Sequence, residues 1–158
     1  MHGIVTAVSV ATVLILFVQA KLAGARVKLD LYDKRFDVFV AALNLYQVDY
    51  SQLGDETTLP AVEREFVKRS REALFLFAKD AGISETLEKI LQCHAMIKGY
   101  EVLQLAHGDD PTKRDQLLAH LNASSKARTE FPGHLSRLET LLARYLRFET
   151  IRGWAWFS

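Results

Sequence analysis

The sequence predicts an all-α protein in which an N-terminal transmembrane helix runs into a long heptad-patterned helix, packed with three or four further helices as a bundle. Three observations predict this class. Residues 3–20 carry no charge, apolar residues recur at helical spacing after them, and eight glycines and three prolines among 158 residues are too few for the turns of an all-β fold. The length corresponds to one compact domain.

The uncharged segment predicts a membrane anchor. An α-helix of eighteen residues rises about 27 Å, slightly less than a hydrocarbon core of about 30 Å. Continuation to Ala25 closes that gap, because Lys21 can extend its ammonium group to the lipid headgroups. We expect a transmembrane helix over Gly3–Ala25, so that residues 1–25 form the anchor and residues 26–158 a cytoplasmic helical bundle.

Two alternatives to this anchor remain, a cleavable signal peptide and a buried core helix. Ala23-Gly24-Ala25 has the small residues of a cleavage site, but no Lys or Arg precedes the apolar run, which is also longer than a signal peptide requires. A core helix without one charge in eighteen residues would be unusual in a soluble domain of this size.

The charges beside the span predict its orientation. No Lys or Arg precedes the uncharged segment, and five follow it: Lys21, Arg26, Lys28, Lys34 and Arg35. By the positive-inside rule, the N-terminus is expected outside and the bulk of the chain in the cytoplasm. The single cysteine, Cys93, is compatible with that reducing compartment.

A heptad pattern follows the anchor and predicts a helix that ends near Gly54. Apolar residues alternate at spacings of three and four: Leu22, Ala25, Leu29, Tyr32, Phe36, Phe39, Leu43, Tyr46, Tyr50 and Leu53. This seam is rich in Tyr and Phe rather than in Leu and Ile, which favours packing within a bundle and leaves a homodimeric coiled coil as the alternative. Only Gly24 interrupts the run, so we expect one continuous helix.

The further helices are predicted from turn signals and apolar spacing. The second begins near Pro60 and runs to about Lys79, Ser84 caps the third, and Asp110-Pro111 opens the fourth. Pro132-Gly133 either divides the fourth helix from a fifth or lies within one kinked helix. The side chains expected to face the core are Val62, Phe66, Ala73, Leu74 and Phe77, then Ile83, Leu87, Ile90, Leu91, Ile97, Val102 and Leu105, and finally Leu117, Leu118, Leu121, Leu135, Leu138, Leu142, Tyr145 and Phe148.

No motif for catalysis, cofactor binding or metal binding occurs at useful strength. The sequence has no G-x-G-x-x-G, no phosphate-binding loop, no H-E-x-x-H and no Glu-x-x-His pair. One cysteine excludes an intrachain disulfide and paired-cysteine zinc sites. A formal charge of +1 removes the electrostatic signature of nucleic-acid binding. We therefore expect no catalytic, cofactor-binding or metal-binding residues, no cofactor and no nucleic-acid partner.

Cys93 and His94 are interpreted as core residues. Adjacent helical positions point about 100° apart, so these two side chains do not readily form a nucleophile–base pair with each other. His94 lies between Ile90 and Ile97 on the apolar side, where a packed, hydrogen-bonded histidine is expected rather than a ligand. Cys93 is expected to behave as a small core hydrophobe.

Two short segments keep more than one interpretation. His107-Gly108-Asp109-Asp110 has the histidine and carboxylates that suit a metal, but the same order suits a helix C-cap followed by an N-cap, which is the favoured interpretation. Both tryptophans, Trp154 and Trp156, lie among the last five residues of the chain. These rings are expected to cover the end of the bundle, with a membrane interface or a docked partner as alternatives.

The segment Val27-Lys28-Leu29-Asp30-Leu31-Tyr32-Asp33-Lys34-Arg35-Phe36 resembles a loose group of small bacterial proteins of unknown function. These have one N-terminal span followed by a K-L-D-L-Y/F-D-K-R-F segment, and Ala73-Leu74-Phe75-Leu76-Phe77 and Tyr145-Leu146-Arg147-Phe148 are similar to their later segments. The resemblance implies a bacterial inner-membrane setting. It implies no activity, cofactor or site residue.

These features together predict a membrane-tethered helical interaction module, either an adaptor or a subunit of an envelope complex, with no catalysis inferred. The expected partners are the lipid bilayer and either another protein or a second copy of the chain, bound through helical faces. The alternatives are a membrane-associated effector or enzyme with a polar site at residues 107–110, and a membrane-active homo-oligomer.

Overall fold

The computed structural model describes residues 2–51, 59–107 and 110–146, with side chains in the first helix described over residues 15–49. Within these ranges the chain forms four α-helices and no strand: α1 His2–Ser51, α2 Leu59–Leu76, α3 Ile83–His107 and α4 Arg114–Leu146. Short 3-10 turns, Lys79–Ala81 and Pro111–Lys113, precede α3 and α4. The predicted all-α class is confirmed.

The helices run alternately up and down. Arg35 of α1 contacts the carbonyl of Leu76 where α2 ends, and its guanidinium carbon lies 5.1 Å from the ring of Tyr145 near the end of α4. Near the other end of α1, Asp49 contacts His94 of α3. These contacts define an antiparallel four-helix bundle with short connections.

The core lies between all four helices. α3 and α4 share the most extensive pairing, and α1 and α2 pack across it. Burying each large apolar side chain stabilises the fold by roughly 1.5–3 kcal/mol relative to exposure. The largest apolar side chains that are fully buried are Leu45, Phe66, Ile83, Ile90, Ile97, Phe131, Leu138 and Leu142.

α1 packs through a face that is offset from its heptad seam, so the prediction that the seam forms the bundle core is wrong in register. The buried positions are Val38, Ala41, Ala42, Leu45 and Asp49. The small alanines allow neighbouring helices to approach α1 closely, which leaves the bulky seam residues at the border. There Tyr46 meets Phe131 edge-on with ring centroids 5.3 Å apart, while Phe36 is 43% exposed. The side chains of Tyr50 and Leu53 lie outside the described residues.

α1 is one continuous helix from His2 to Ser51, as predicted, and Gly24 does not interrupt it. Across the described residues, no helix is long and apolar enough to cross a membrane. The side chains of residues 3–14, about half of the expected span Gly3–Ala25, lie outside the part of the chain that is described.

The boundary between α2 and α3 differs from the prediction. α2 ends at Leu76 rather than near Lys79, and Gly82 has a φ of +72°, a left-handed conformation that favours glycine. Because α3 begins directly after this glycine, Ser84 lies inside the helix and the prediction that it caps α3 is wrong. The carbonyl of Gly82 accepts hydrogen bonds from the backbone N–H and the hydroxyl of Thr86, at 3.1 and 2.7 Å.

α4 continues through Pro132 as one helix, so the alternative of a separate fifth helix is wrong. Proline cannot donate the backbone hydrogen bond to the carbonyl four residues earlier. Here Pro132 is exposed, so its ring needs no room in the core. The buried side of α4 is maintained across this point by Phe131 and Leu138.

Several apolar residues expected in the core are exposed instead: Leu74, Val102, Leu105, Leu118 and Leu121. Leu74 follows the buried Ala73 and therefore points about 100° away from the core. The other four lie near the connection between α3 and α4. In that direction α3 continues thirteen residues, or about 20 Å, beyond His94. Phe148 lies outside the described residues.

Candidate functional site

The N-terminal part of α1 forms an exposed apolar surface. Every residue from 15 to 30, which we call the projecting segment, is exposed. Its first four side chains are large and apolar and are each more than half exposed: Ile15, Leu16, Phe17 and Val18. Consecutive helical residues are 100° apart, so these four point to all sides of the helix. A helix that is apolar all round is typical of a large protein core or of a membrane.

Basic side chains begin where the apolar turn ends. Lys21, Arg26 and Lys28 are all exposed, and the Lys21 ammonium lies 5.0 Å from the centre of the Phe17 ring. Lysine can lay its alkyl chain along apolar surface while its charge reaches a polar layer. This change from apolar to basic along one helix is the pattern expected at a membrane–water interface.

A buried polar pair joins α1 to α3. Nδ1 of His94 lies 2.9 and 3.0 Å from the two carboxylate oxygens of Asp49, and the two side chains are 2% and 0% exposed. Because a carboxylate only accepts hydrogen bonds, Nδ1–H of His94 is the donor. The prediction of a packed, hydrogen-bonded core histidine is confirmed.

The other nitrogen of His94 faces a second carboxylate. Nε2 lies 3.9 Å from Oε1 of Glu63, whose side chain is 49% exposed on α2. A histidine oriented by an aspartate is the base of many hydrolases, but such sites also place a nucleophile beside the free nitrogen. Among the described residues no hydroxyl or thiol hydrogen-bonds to Nε2. The pair connects α1 to α3.

Arg128 of α4 extends this network. Its guanidinium donates to the backbone carbonyl of Asp49 at 3.0 Å and to a carboxylate oxygen of Glu101 at 3.1 Å. Lys98 donates to the second oxygen of Glu101 at 2.8 Å. Three helices are thus joined at this level of the bundle. Sequence reasoning missed the network, although a carboxylate at position 49, in register with the buried Leu45, is a signal that a partner is required.

Arg35 has a comparable role at the other end of the bundle. Its Nε and Nη2 donate to the carbonyl of Leu76 at 3.3 and 3.2 Å, and its guanidinium carbon lies 5.7 and 5.1 Å from the ring centres of Phe77 and Tyr145. The last carbonyls of a helix lack partners within that helix, so this arginine completes the end of α2. Arg144 donates in the same way to the carbonyl of Ala81 at 3.1 Å. The sequence indicated Arg35 only as a charge that follows the span.

Cys93 lies at a groove of about 500 Å³ between α3 and α4, which is also lined by Met96, Glu130 and His134. The cysteine is 5% exposed, as predicted for a small core side chain. Burial raises the pKa of its thiol, and the charge of Glu130 raises it further. A thiol that stays protonated is a poor nucleophile. The described residues contain no group of three or more His, Cys, Asp and Glu side chains that could hold a metal ion.

Asp110, the last residue of the segment 107–110, forms a helix N-cap. Asp110 accepts hydrogen bonds from the backbone N–H and the hydroxyl of Thr112, at 2.9 and 2.7 Å, and precedes the turn that leads into α4. These hydrogen bonds lower the pKa of Asp110. The N-cap interpretation is confirmed for Asp110. Gly108 and Asp109 lie outside the described residues, as do Trp154 and Trp156.

The fold and its contacts define a four-helix bundle whose first helix projects from one end. Comparisons with protein-family models, with curated proteins and with solved structures found no match for this chain. Its own residues therefore carry the functional argument.

Proposed function

We propose that this protein is a membrane-tethered helical interaction module, an adaptor or a subunit of an envelope complex. Its first helix anchors the chain in the bilayer, and the bundle presents helical faces to a partner held nearby. The mechanism is placement, because tethering raises the effective concentration of the bundle near partners at the same membrane. No catalytic step is part of the proposal.

The observation that carries the proposal is the exposed apolar turn over residues 15–18. Leaving more than half of a large apolar side chain in water forgoes roughly 1 kcal/mol for each residue. The bundle covers none of these four side chains, so lipid is the environment that best accommodates them. The uncharged residues 3–14 extend the same apolar character towards the N-terminus.

The basic residues after position 20 support one orientation. Lys21, Arg26 and Lys28 follow the apolar turn, and no Lys or Arg precedes it. The positive-inside rule then favours an N-terminus outside and a bundle in the cytoplasm. With the bacterial setting implied by the sequence resemblance, the membrane is the bacterial inner membrane.

Membrane fractionation of bacterial cells that express the full chain tests the anchor. We expect the wild type to remain in membranes after alkaline washing. Replacing Leu16 and Val18 by lysine should release the chain, because each lysine near the centre of a span costs about 2.5–3.5 kcal/mol. The matched control replaces Val27 and Leu29 by lysine, beyond the expected span, and should stay in membranes. A wild-type chain that alkali extracts would overturn the anchor.

Thiol labelling tests the orientation. Phe75 is 90% exposed on the bundle, so Phe75→Cys presents an accessible thiol, whereas the wild type with its buried Cys93 is the unlabelled control. We expect an impermeant maleimide to label Phe75→Cys only after the cells are opened. Labelling of intact spheroplasts would place the bundle on the outer side.

A further inference from the structure

α1 carries apolar side chains on two opposite faces. One face, at Val38, Ala42 and Leu45, is buried by the bundle. At 100° per residue, Leu22, Leu29 and Phe36 lie about 160–180° around the helix from Val38. We call Leu22, Ala25, Leu29, Tyr32 and Phe36 the outer stripe.

Four of the five residues of the outer stripe are exposed, and Tyr32 is partly buried. Leu22 is 59%, Leu29 54% and Phe36 43% exposed. Its aromatic end is ordered along the helix, since the rings of Tyr32 and Phe36 stack with centroids 6.4 Å apart and an interplanar angle of 8°. A helix at the surface of a bundle needs one apolar face. The second face on α1 therefore indicates a partner other than the bundle.

We propose that the outer stripe binds the same stripe of a second copy of this chain as a short parallel two-stranded coiled coil. Its spacings of three and four residues place apolar side chains at the a and d positions of a heptad, with Leu22, Leu29 and Phe36 at a. Two copies present identical stripes in identical register. The parallel orientation rests on the proposed membrane anchor, because two copies inserted in one bilayer with the same topology point the same way.

At the centre of the outer stripe, the charged residues that flank it are placed to attract each other across the pair. Lys28 occupies a g position and Asp33 the e position five residues later, so each lysine faces an aspartate of the other copy. One heptad earlier the corresponding residues are Lys21 and Arg26, which repel. These two lie at the level expected for lipid headgroups, whose phosphates offset the repulsion.

The length of the stripe determines how the pairing depends on the membrane. Leu22 to Phe36 spans fourteen residue steps, or about 21 Å of helix, which is only two heptads. Isolated helices of about this length are marginal in water. Insertion of two chains in one bilayer, or in one detergent micelle, raises the effective concentration of the two stripes and favours a dimer that a soluble stripe would not form.

Cysteine cross-linking in membranes tests the interface and its orientation. The stripe variants are Leu29→Cys and Phe36→Cys, each examined alone in the full chain. Their matched controls are Val27→Cys and Lys34→Cys, which are exposed, two residues earlier and at the f positions on the opposite side. The wild type is the blank, because Cys93 is buried.

We expect both stripe variants, and neither control, to form a disulfide-linked species of twice the mass of one chain after mild oxidation. Residues 29 and 36 are about 10 Å apart along the helix, so only a parallel, in-register pair brings each of them next to the same residue of the other copy. Equal cross-linking of stripe and control positions, or none at either stripe position, would overturn the proposal.

Sedimentation of the full chain in density-matched detergent supplies a second measurement. We expect the wild type and Val27→Glu to sediment as dimers, and Leu29→Glu to sediment as a monomer with an unchanged helical circular dichroism spectrum. A monomeric wild type, or a different protein that co-purifies stoichiometrically and is lost in Leu29→Glu, would overturn self-pairing. Alkaline extraction of the cross-linked Leu29→Cys chain would instead overturn the anchor, so the two proposals fail separately.

Discussion

The buried pair between Asp49 and His94 gives the sharpest prediction about stability. The pair is 2.9 Å long, and its two side chains are 0% and 2% exposed. Removing one member leaves the other buried without a partner, which costs about 1–3 kcal/mol for a neutral group and about 3–5 kcal/mol for a charged one. We expect Asp49→Leu and His94→Leu each to destabilise the protein by about 3 kcal/mol, or to lower its Tm by about 10 °C.

The double variant separates the pairing from the packing. With Leu at both positions, neither polar group is left unpaired, and replacing a buried pair by apolar side chains of similar volume is often close to neutral. We therefore expect the double variant to be more stable than either single variant. The coupling free energy from the double-mutant cycle should be about 3 kcal/mol or more.

Urea unfolding of the four proteins in detergent, followed by circular dichroism, measures this cycle. The matched control is the cycle of Glu85 and Lys89, whose pair is as short at 2.8 Å but whose side chains are 62% and 43% exposed. Its coupling should be close to zero, since solvent screens exposed pairs. Single-variant costs for Asp49 and His94 that add within about 0.5 kcal/mol would refute the reasoning.

Three further predictions concern single positions. Gly82→Ala should lower the Tm by a few degrees, because a left-handed residue other than glycine costs about 1–2 kcal/mol. Gly99→Ala, inside α3 with no atom within 4 Å of the added Cβ, should raise the Tm slightly. A lower Tm for both variants would refute the backbone argument. Ser70→Ala should leave the protein equally or more stable to urea, because the hydroxyl is buried without a hydrogen-bond partner, and a clear loss of stability would contradict this. Asp110→Ala should lower the Tm at neutral pH, but the difference in Tm from the wild type should shrink as the pH falls through the lowered pKa of Asp110. Hydrogen bonds from Thr112 favour the carboxylate of Asp110 in the folded state. The stability that this cap contributes is therefore present above the pKa of Asp110 in the unfolded chain and is lost in acid. A difference that is constant down to strongly acidic pH would contradict the cap.

The sequence predicted the helices well because they depend on local spacing and turn residues. The continuity of α1 through Gly24 and the cap at Asp110 are confirmed in this way. Pro132 shows the limit of the same reasoning. A proline inside a helix removes one backbone hydrogen bond, and its ring crowds the carbonyl four residues earlier. Spacing alone does not show that packing on both sides of Pro132, through Phe131 and Leu138, maintains the helix.

The contacts between helices were not accessible from spacing alone. Asp49 and His94 are separated by 45 residues, and periodicity assigns a residue to a face without naming what that face meets. The burial of His94 could thus be predicted, but its partner could not. The spacing also did not show which face of α1 the bundle buries. The strongest apolar pattern on that helix contains the outer stripe, whereas the bundle packs against a weaker apolar face that includes Ala41 and Ala42.

The two apolar faces lie on opposite sides of α1, which also decides how two paired bundles are arranged. The core face at Val38 and the outer stripe at Leu29 lie about 180° apart around one helix. Since Arg35 fastens the ends of α2 and α4 to α1, the bundle keeps a fixed side of that helix. Two copies paired through their outer stripes would therefore direct their bundles away from each other, so that pairing near the membrane needs no rearrangement of the fold and leaves the α3–α4 hairpins of both copies accessible.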